Sequence, residues 1–456
     1  MRRRWVEFFP SVIRRLESAA ELRRAIRLPH ATAMVVGSII GASIFVQPSE
    51  VTSRVSSVGW VLLVWLGSGA LTLIGALVCA ELSSTFTRTG GVYVYLSEAF
   101  GRWLGFLWGW AMFWSMHSGI IAAIAVVFAR YAGYLVPLSD VDAKMLAIAV
   151  ILVLSWVNYL GVRQGSRLQT AFTAGKLVAI ALIVGVGFTL GGKVPEHFVG
   201  AAMARPISVE DFLFGLVAGL FAFGGWHLVT YTSAETVDPR KTIPRALILG
   251  TAIVTVSYLL MNAVYLYVLP LDRVASSTRV AADLADALLG FGGGSVVSGI
   301  VMFSTFGALT GIILAGPRVY LAMAQDGLLP RWAGAIHPRH QTPHVAIALQ
   351  AGWASILVAT GSFRTLFTLV VYTEWIFFGL MAVGLFMVRR RGLPREYSIP
   401  GYPVLPAVFA LVAGAVVVNQ VVADPHRTLI GLGLVLLGLP VYSFWARKLP
   451  TSKAAS

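Results

Sequence analysis

Apolar residues run through this chain in long stretches, separated by short polar intervals that hold most of the charges. A helix needs about 20 largely apolar residues to cross a hydrocarbon layer roughly 30 Å thick. Twelve stretches meet or approach that length: 31–48, 59–86, 103–136, 145–161, 168–190, 211–236, 245–269, 296–325, 344–361, 364–388, 404–422 and 428–446. The alternation of apolar and polar positions over about ten residues that marks a barrel strand is absent. The pattern predicts an all-α membrane protein with twelve transmembrane helices. An arm over 1–30 and a tail over 447–456 lie outside them.

Composition agrees. Of 456 residues, 57% are hydrophobic and 12% charged, against roughly 25% charged in soluble domains. The formal charge of +15 does not point to nucleic acid, because the basic residues sit in short loops between apolar runs. Of 35 Lys and Arg, 25 fall in the arm, the tail and every second loop. That bias places both termini in the cytoplasm of a multi-pass protein in the cell (inner) membrane, in contact with lipid. Cys79 is the single cysteine, so no intramolecular disulfide forms. The arm is rich in Arg and has no apolar core before a small-residue cleavage site, so it is no cleavable signal peptide. Its Trp5, Phe8, Phe9, Val12, Ile13 and Leu16 fit one face of a surface helix.

Two spans are interrupted by glycine. The first holds Gly37-Ser38-Ile39-Ile40-Gly41-Ala42-Ser43, and the sixth holds Phe221-Ala222-Phe223-Gly224-Gly225-Trp226. Glycine in membrane helices serves close packing, or it marks where a helix unwinds beside a cavity that satisfies its backbone. Interruptions five spans apart favour the second reading. They predict a 5+5 inverted repeat, 31–190 and 211–388, with a site between broken helices 1 and 6. The last two spans, 404–446, lie outside the repeat. Lys176 sits about eight residues inside the fifth span, where a charge is costly and usually functional, although a snorkelling lysine is the plainer alternative.

Five segments carry a family resemblance: GSIIGASIF, AELSSTFTRTGGVYVYLSEAFG, FAFGGWHLVTYTSAETVDPRKTIPRAL, GPRVYLAMAQDGLLP and RRRGLPREYSIPGYPVLP. In this order they resemble the amino acid–polyamine–organocation superfamily, nearest to its L-type amino acid exchangers through FAFGGW and TAFTAGKL. The resemblance implies a LeuT-like fold and secondary active transport of amino acids or related amines by alternating access. It implies that Gly41, Ala42 and Ser43 hold a substrate carboxylate at a half-helix N-terminus, where unpaired N–H groups favour anions. The substrate ammonium then meets the backbone around Ser38, Ile39, Phe221, Phe223 and Gly224. Phe221 matches the external gate, and Lys176 stands where sodium-coupled relatives hold Na⁺, which implies sodium independence. The family pattern ends in Gly where this chain has Ser43, a hydroxyl donor or a narrowing of the pocket.

His117, Ser118, Trp226, His227 and Ser304 are possible pocket residues, with hydrogen-bonded or packing roles as the plainer reading. Glu374 resembles a structural family feature near the site. Glu81, Glu235, Asp238, Arg240 and Arg318 lie at cytoplasmic span ends and are expected to form gate ion pairs, or to be solvated. Gly290-Phe291-Gly292-Gly293-Gly294 reads as an external hinge. No metal-ligand cluster, nucleophile–base pair or phosphate loop appears, so neither an enzyme nor a cofactor is expected. Broken helices suit alternating access better than a channel. Small neutral amino acids are the expected substrates, by exchange or proton-coupled uptake. A polyamine or organic amine transporter and a non-transporting amino acid sensor stay open.

Overall fold

The computed structural model describes residues 22–55, 57–191, 207–290, 292–361 and 363–446. The predicted surface helix of the arm, the tail and Phe291 lie outside them. Every one of the twelve predicted segments is helical. The first is a pair, α1 (Leu28–Ile39) and α2 (Ser43–Arg54), bent by 47°. It runs six residues past the predicted end at Pro48, which lies inside α2; the Ile44 carbonyl that Pro48 cannot reach for want of an N–H accepts from the Tyr265 hydroxyl instead.

The order continues through α3 (Val58–Thr85), α4 (Val92–Phe100), α5 (Arg102–Leu135, with a π turn at Met112–Met116), α6 (Asp140–Leu160) and α7 (Val162–Leu190). The predicted sixth span splits into α8 (Val209–Ala222) and a 3₁₀ segment, Trp226–Glu235. Then follow α9 (Pro239–Val268), short α10 (Leu271–Ser276) and α11 (Val280–Leu289), and α12 (Gly293–Ala315) leading into α13 (Pro317–Gln325). The chain closes with α14 (His344–Thr360), α15 (Phe363–Arg390), α16 (Val404–Ala423), α17 (Pro425–Leu436) and α18 (Gly438–Ala446). Among the described residues, nine helices are long and apolar enough to cross a membrane, and ten if the bent pair counts as one. The protein is an all-α, multi-pass membrane protein.

Packing joins elements five predicted spans apart: α3 lies on α9, α5 on α12, α6 on α14, α1 on the 3₁₀ segment of the sixth span, and α2 on α8. Glycine lets these helices approach. A Cβ at Gly69 of α3 would come within 2.5 Å of Thr255 on α9, and one at Gly250 of α9 within 2.5 Å of Val35 on α1. Apolar side chains gain little from association in lipid, so such close backbone contact is what holds membrane helices together.

One end of the bundle is locked by charge. Glu235 and Arg318 form a bidentate pair, both distances 2.8 Å, with both side chains 0% exposed. Arg318 also donates to the Leu314 carbonyl at 2.7 Å, and the Ala25 and Ile26 amides donate to the Glu235 carbonyl. Glu81 finds its partner outside the expected set: Arg389 of α15 holds it at 2.6 Å through two nitrogens, and the Ile399 amide donates to it. Asp238 approaches only the neighbouring, exposed Lys241. Arg240 is exposed and forms no ion pair among the described residues. Gly290 caps α11, and Gly292 precedes α12, which Gly293 and Gly294 begin.

Candidate substrate site

The break in the first span begins with a close approach. A Cβ at Gly37 would lie 2.2 Å from side-chain atoms of both Gln169 and Thr173, so only glycine lets α1 sit this near α7. The helix stops at Ile39, and the loop Ile40–Ala42 leaves carbonyls without helical partners. Other helices supply donors. Lys176 Nζ donates to the Gly37 carbonyl at 2.9 Å and the Ile40 carbonyl at 2.6 Å. The Tyr258 hydroxyl donates to the Ile39 carbonyl at 3.2 Å, and Ser304 Oγ to the Gly41 carbonyl at 3.0 Å. No such provision exists for donors: among the described residues, the amides of Gly41, Ala42 and Ser43 have no backbone acceptor. The loop's acceptors are capped and its donors are left open, the arrangement that binds an anion at a helix N-terminus.

The sixth span breaks differently. The Phe223 amide turns back to the Leu220 carbonyl at 3.2 Å and the Gly224 amide to the Phe221 carbonyl at 3.1 Å. Gly225 takes φ +98°, which a side chain would strain, and a Cβ there would press to 3.0 Å on the Ser38 carbonyl. Beyond it the chain winds as a 3₁₀ helix, not the expected α-helix. The Gly225, Trp226 and His227 amides likewise find no backbone acceptor among the described residues. Tyr258 joins the breaks, since its hydroxyl also lies 3.1 Å from the Ala222 carbonyl. Ala42, Ser43, Phe221 and Gly224 keep partial or full exposure among buried neighbours, so the open donors border a crevice.

The family described as amino acid permease matches residues 26–437. This chain belongs to that family. It is 31% identical over 440 residues to the human Asc-type amino acid transporter 1, covering 94% of this chain and 84% of that protein. It is 32% identical over 427 residues to the serine/threonine exchanger SteT of Bacillus subtilis, covering 92% and 96%. It is 33% identical over 447 residues to the human large neutral amino acids transporter small subunit 2, covering 94% and 82%. The permease is a multi-pass transport protein for amino acids, not an enzyme, and its two breaks five spans apart follow the LeuT-like pattern.

The remaining predicted residues fall in distinct places. Ser38 is buried against Gly225, and its hydroxyl has no hydrogen-bond partner among the described residues. The Ile39 and Phe221 carbonyls, expected near a substrate ammonium, are both engaged: Ile39 accepts from the Tyr258 hydroxyl and Phe221 from the Gly224 amide. Phe223 turns into the core, with ring centroids 4.9 Å from Tyr258. Trp226 packs on Phe378 and Phe409, away from the crevice. His117 holds the Ile312 carbonyl at 2.8 Å, and Gln350 donates to the Ile313 carbonyl, which Pro317 cannot reach for want of an N–H. Both brace the end of α12. Among the described residues His227 has no hydrogen bond at Nδ1; Trp108, Trp226, Tyr231 and Phe378 surround its ring instead. Ser118 is buried in α5 beside the Tyr320 hydroxyl, and Glu374 lies near Tyr231.

The sequence reading missed Tyr258 and Tyr265. They sit seven residues, two helical turns, apart on α9 and reach either side of the first break, Tyr265 donating to the Ile44 carbonyl at 3.4 Å. Paired tyrosines on one face of an apolar helix were the available signal, since a buried phenol seeks an acceptor.

Proposed function

We propose that this permease exchanges small neutral amino acids across the cell (inner) membrane by sodium-independent alternating access. In this reading twelve helices span the membrane, both termini are cytoplasmic, and 31–190 and 211–388 form an inverted repeat. The observation that carries it is the asymmetry of the first break. Its carbonyls already have protein donors, whereas among the described residues the Gly41, Ala42 and Ser43 amides have no backbone acceptor. A substrate carboxylate completes them, and an amine without a carboxylate does not. The second lone pair of the Ile39 carbonyl takes the ammonium, with Phe221 closing above. Lys176 supplies a fixed cation beside the break, which removes the need for Na⁺. Ser43 narrows the loop and favours small side chains, in keeping with a serine/threonine exchanger among the relatives.

The test is counterflow in proteoliposomes. Internal serine should accelerate uptake of external serine, alanine and threonine, with no change when choline replaces sodium. Each charge-assisted hydrogen bond contributes about 1.5–3 kcal/mol, so ethanolamine should compete with serine at least about a hundredfold more weakly. Equal competition by ethanolamine would favour the amine transporter. Binding without any uptake would favour a sensor.

A further inference from the structure

Lys176 is 2% exposed and uses two of its three ammonium donors on the Gly37 and Ile40 carbonyls. Among the described residues no acidic side chain pairs with it, and no third acceptor takes the remaining N–H. The amine instead borders a cavity of about 310 Å³ between α7 and α12. Apart from Lys176 and Ser304 its lining is glycine and apolar side chains, with Phe45, Ile180, Ile300 and Phe303 the largest. The cavity has two unlike ends. Lys176, Ile40, Phe45 and Ser304 are almost wholly buried, whereas Val296 and Phe303 on α12 are 56% and 39% exposed. Its mouth therefore faces outward through the side of a membrane-spanning helix. It does not open on the amides of the first break.

A buried cation is costly unless an opposite charge and hydrogen bonds compensate it. Protein carbonyls supply two bonds here and nothing supplies the charge. Water entering the cavity would satisfy the amine but would wet a largely apolar wall. We infer that the cavity binds a single-chain fatty carboxylate that enters from the bilayer. The carboxylate is an acceptor without donors and matches the free N–H of Lys176; the alkyl chain lies along Ile180, Ile300 and Phe303 towards Val296. The volume is at the lower end of small-molecule pockets, about 300–1,000 Å³, which suits one alkyl chain and not a two-chain phospholipid. Such an occupant presses on α7 and α12 and engages the lysine that ties α7 to the first break, beside the Ser304 that ties α12 to it. It slows the bending of that break, so it lowers the maximal transport rate and leaves the substrate KM unchanged.

Native mass spectrometry of the purified permease with decanoate, decanol and decylamine tests this without reference to substrate. One decanoate should bind per chain, with decanol and decylamine at least about tenfold weaker. A Cβ at Gly299, which lines the cavity, meets nothing within 4 Å. Gly299→Leu should therefore fold normally, fill the cavity and weaken decanoate binding by about tenfold or more. Val296→Trp closes the mouth and serves if Gly299→Leu is poorly expressed. The inference is overturned if decanol binds as well as decanoate, if both blocked variants keep full decanoate binding, or if the unaltered protein binds none.

Discussion

In the first span, the loop Ile40–Ala42 leans on three other helices: Lys176 from α7, Tyr258 from α9 and Ser304 from α12 each donate to its carbonyls or those beside it. In the sixth, Ala222–Gly225 turns on its own backbone, through the Phe223 and Gly224 amides and the positive φ of Gly225. One break takes its shape from its neighbours, and the other carries it within its own residues. A shift of α7 or α12 therefore changes the first loop directly, while the sixth stays a fixed corner whose lower half is anchored by Glu235 and Arg318. Tyr258 is the common contact, and it allows one break to register the other.

Removing the anchor of the sixth span should have the largest effect on stability. Glu235→Gln leaves the fully buried Arg318 uncompensated, at a cost of about 3–5 kcal/mol. Thermal unfolding in detergent should show a large fall in Tm; an unchanged Tm would mean that the 3₁₀ half needs no anchor. Lys176→Met should separate transport from stability. It removes two charge-assisted bonds of about 1.5–3 kcal/mol each yet also relieves the burial of a charge. Serine uptake should fall by about tenfold to a hundredfold, with a smaller Tm loss than Glu235→Gln. Equal Tm losses in the two variants would erase the contrast between the breaks.

Gly225→Ala probes the self-supporting corner. It places a side chain at φ +98° against the Ser38 carbonyl, at about 1–3 kcal/mol. Ala42→Gly, at φ −81° in the neighbour-supported loop, should by contrast change little. If both substitutions cost the same, backbone strain is not what distinguishes the corner. A smaller effect is expected from Tyr258→Phe, which keeps the ring packing on Trp65 and Phe223 and removes only the hydroxyl. The loss should be about 0.5–1.5 kcal/mol per hydrogen bond, read as a severalfold slower exchange rate. Tyr265→Phe, whose hydroxyl reaches only the first span, should do less.

The run of apolar residues by itself determined an all-helical membrane protein, because backbone groups in hydrocarbon must be satisfied within each segment. Glycines in two segments likewise located both breaks to within a few residues, since helix propensity is local. The five motif segments were enough to identify the family. Partnership was not legible. The lysine at mid-depth was visible, but its acceptors at Gly37 and Ile40 lie more than 130 residues away along the chain. Tyr258 looked like one more aromatic in an apolar helix until α9 was packed between the two breaks. Arg389 was one of four arginines in a loop until folding brought it to Glu81. Hydropathy and propensity add up along the sequence. Which donor meets which carbonyl depends on the crossing and rotation of helices far apart in it, and only the tertiary structure decides that.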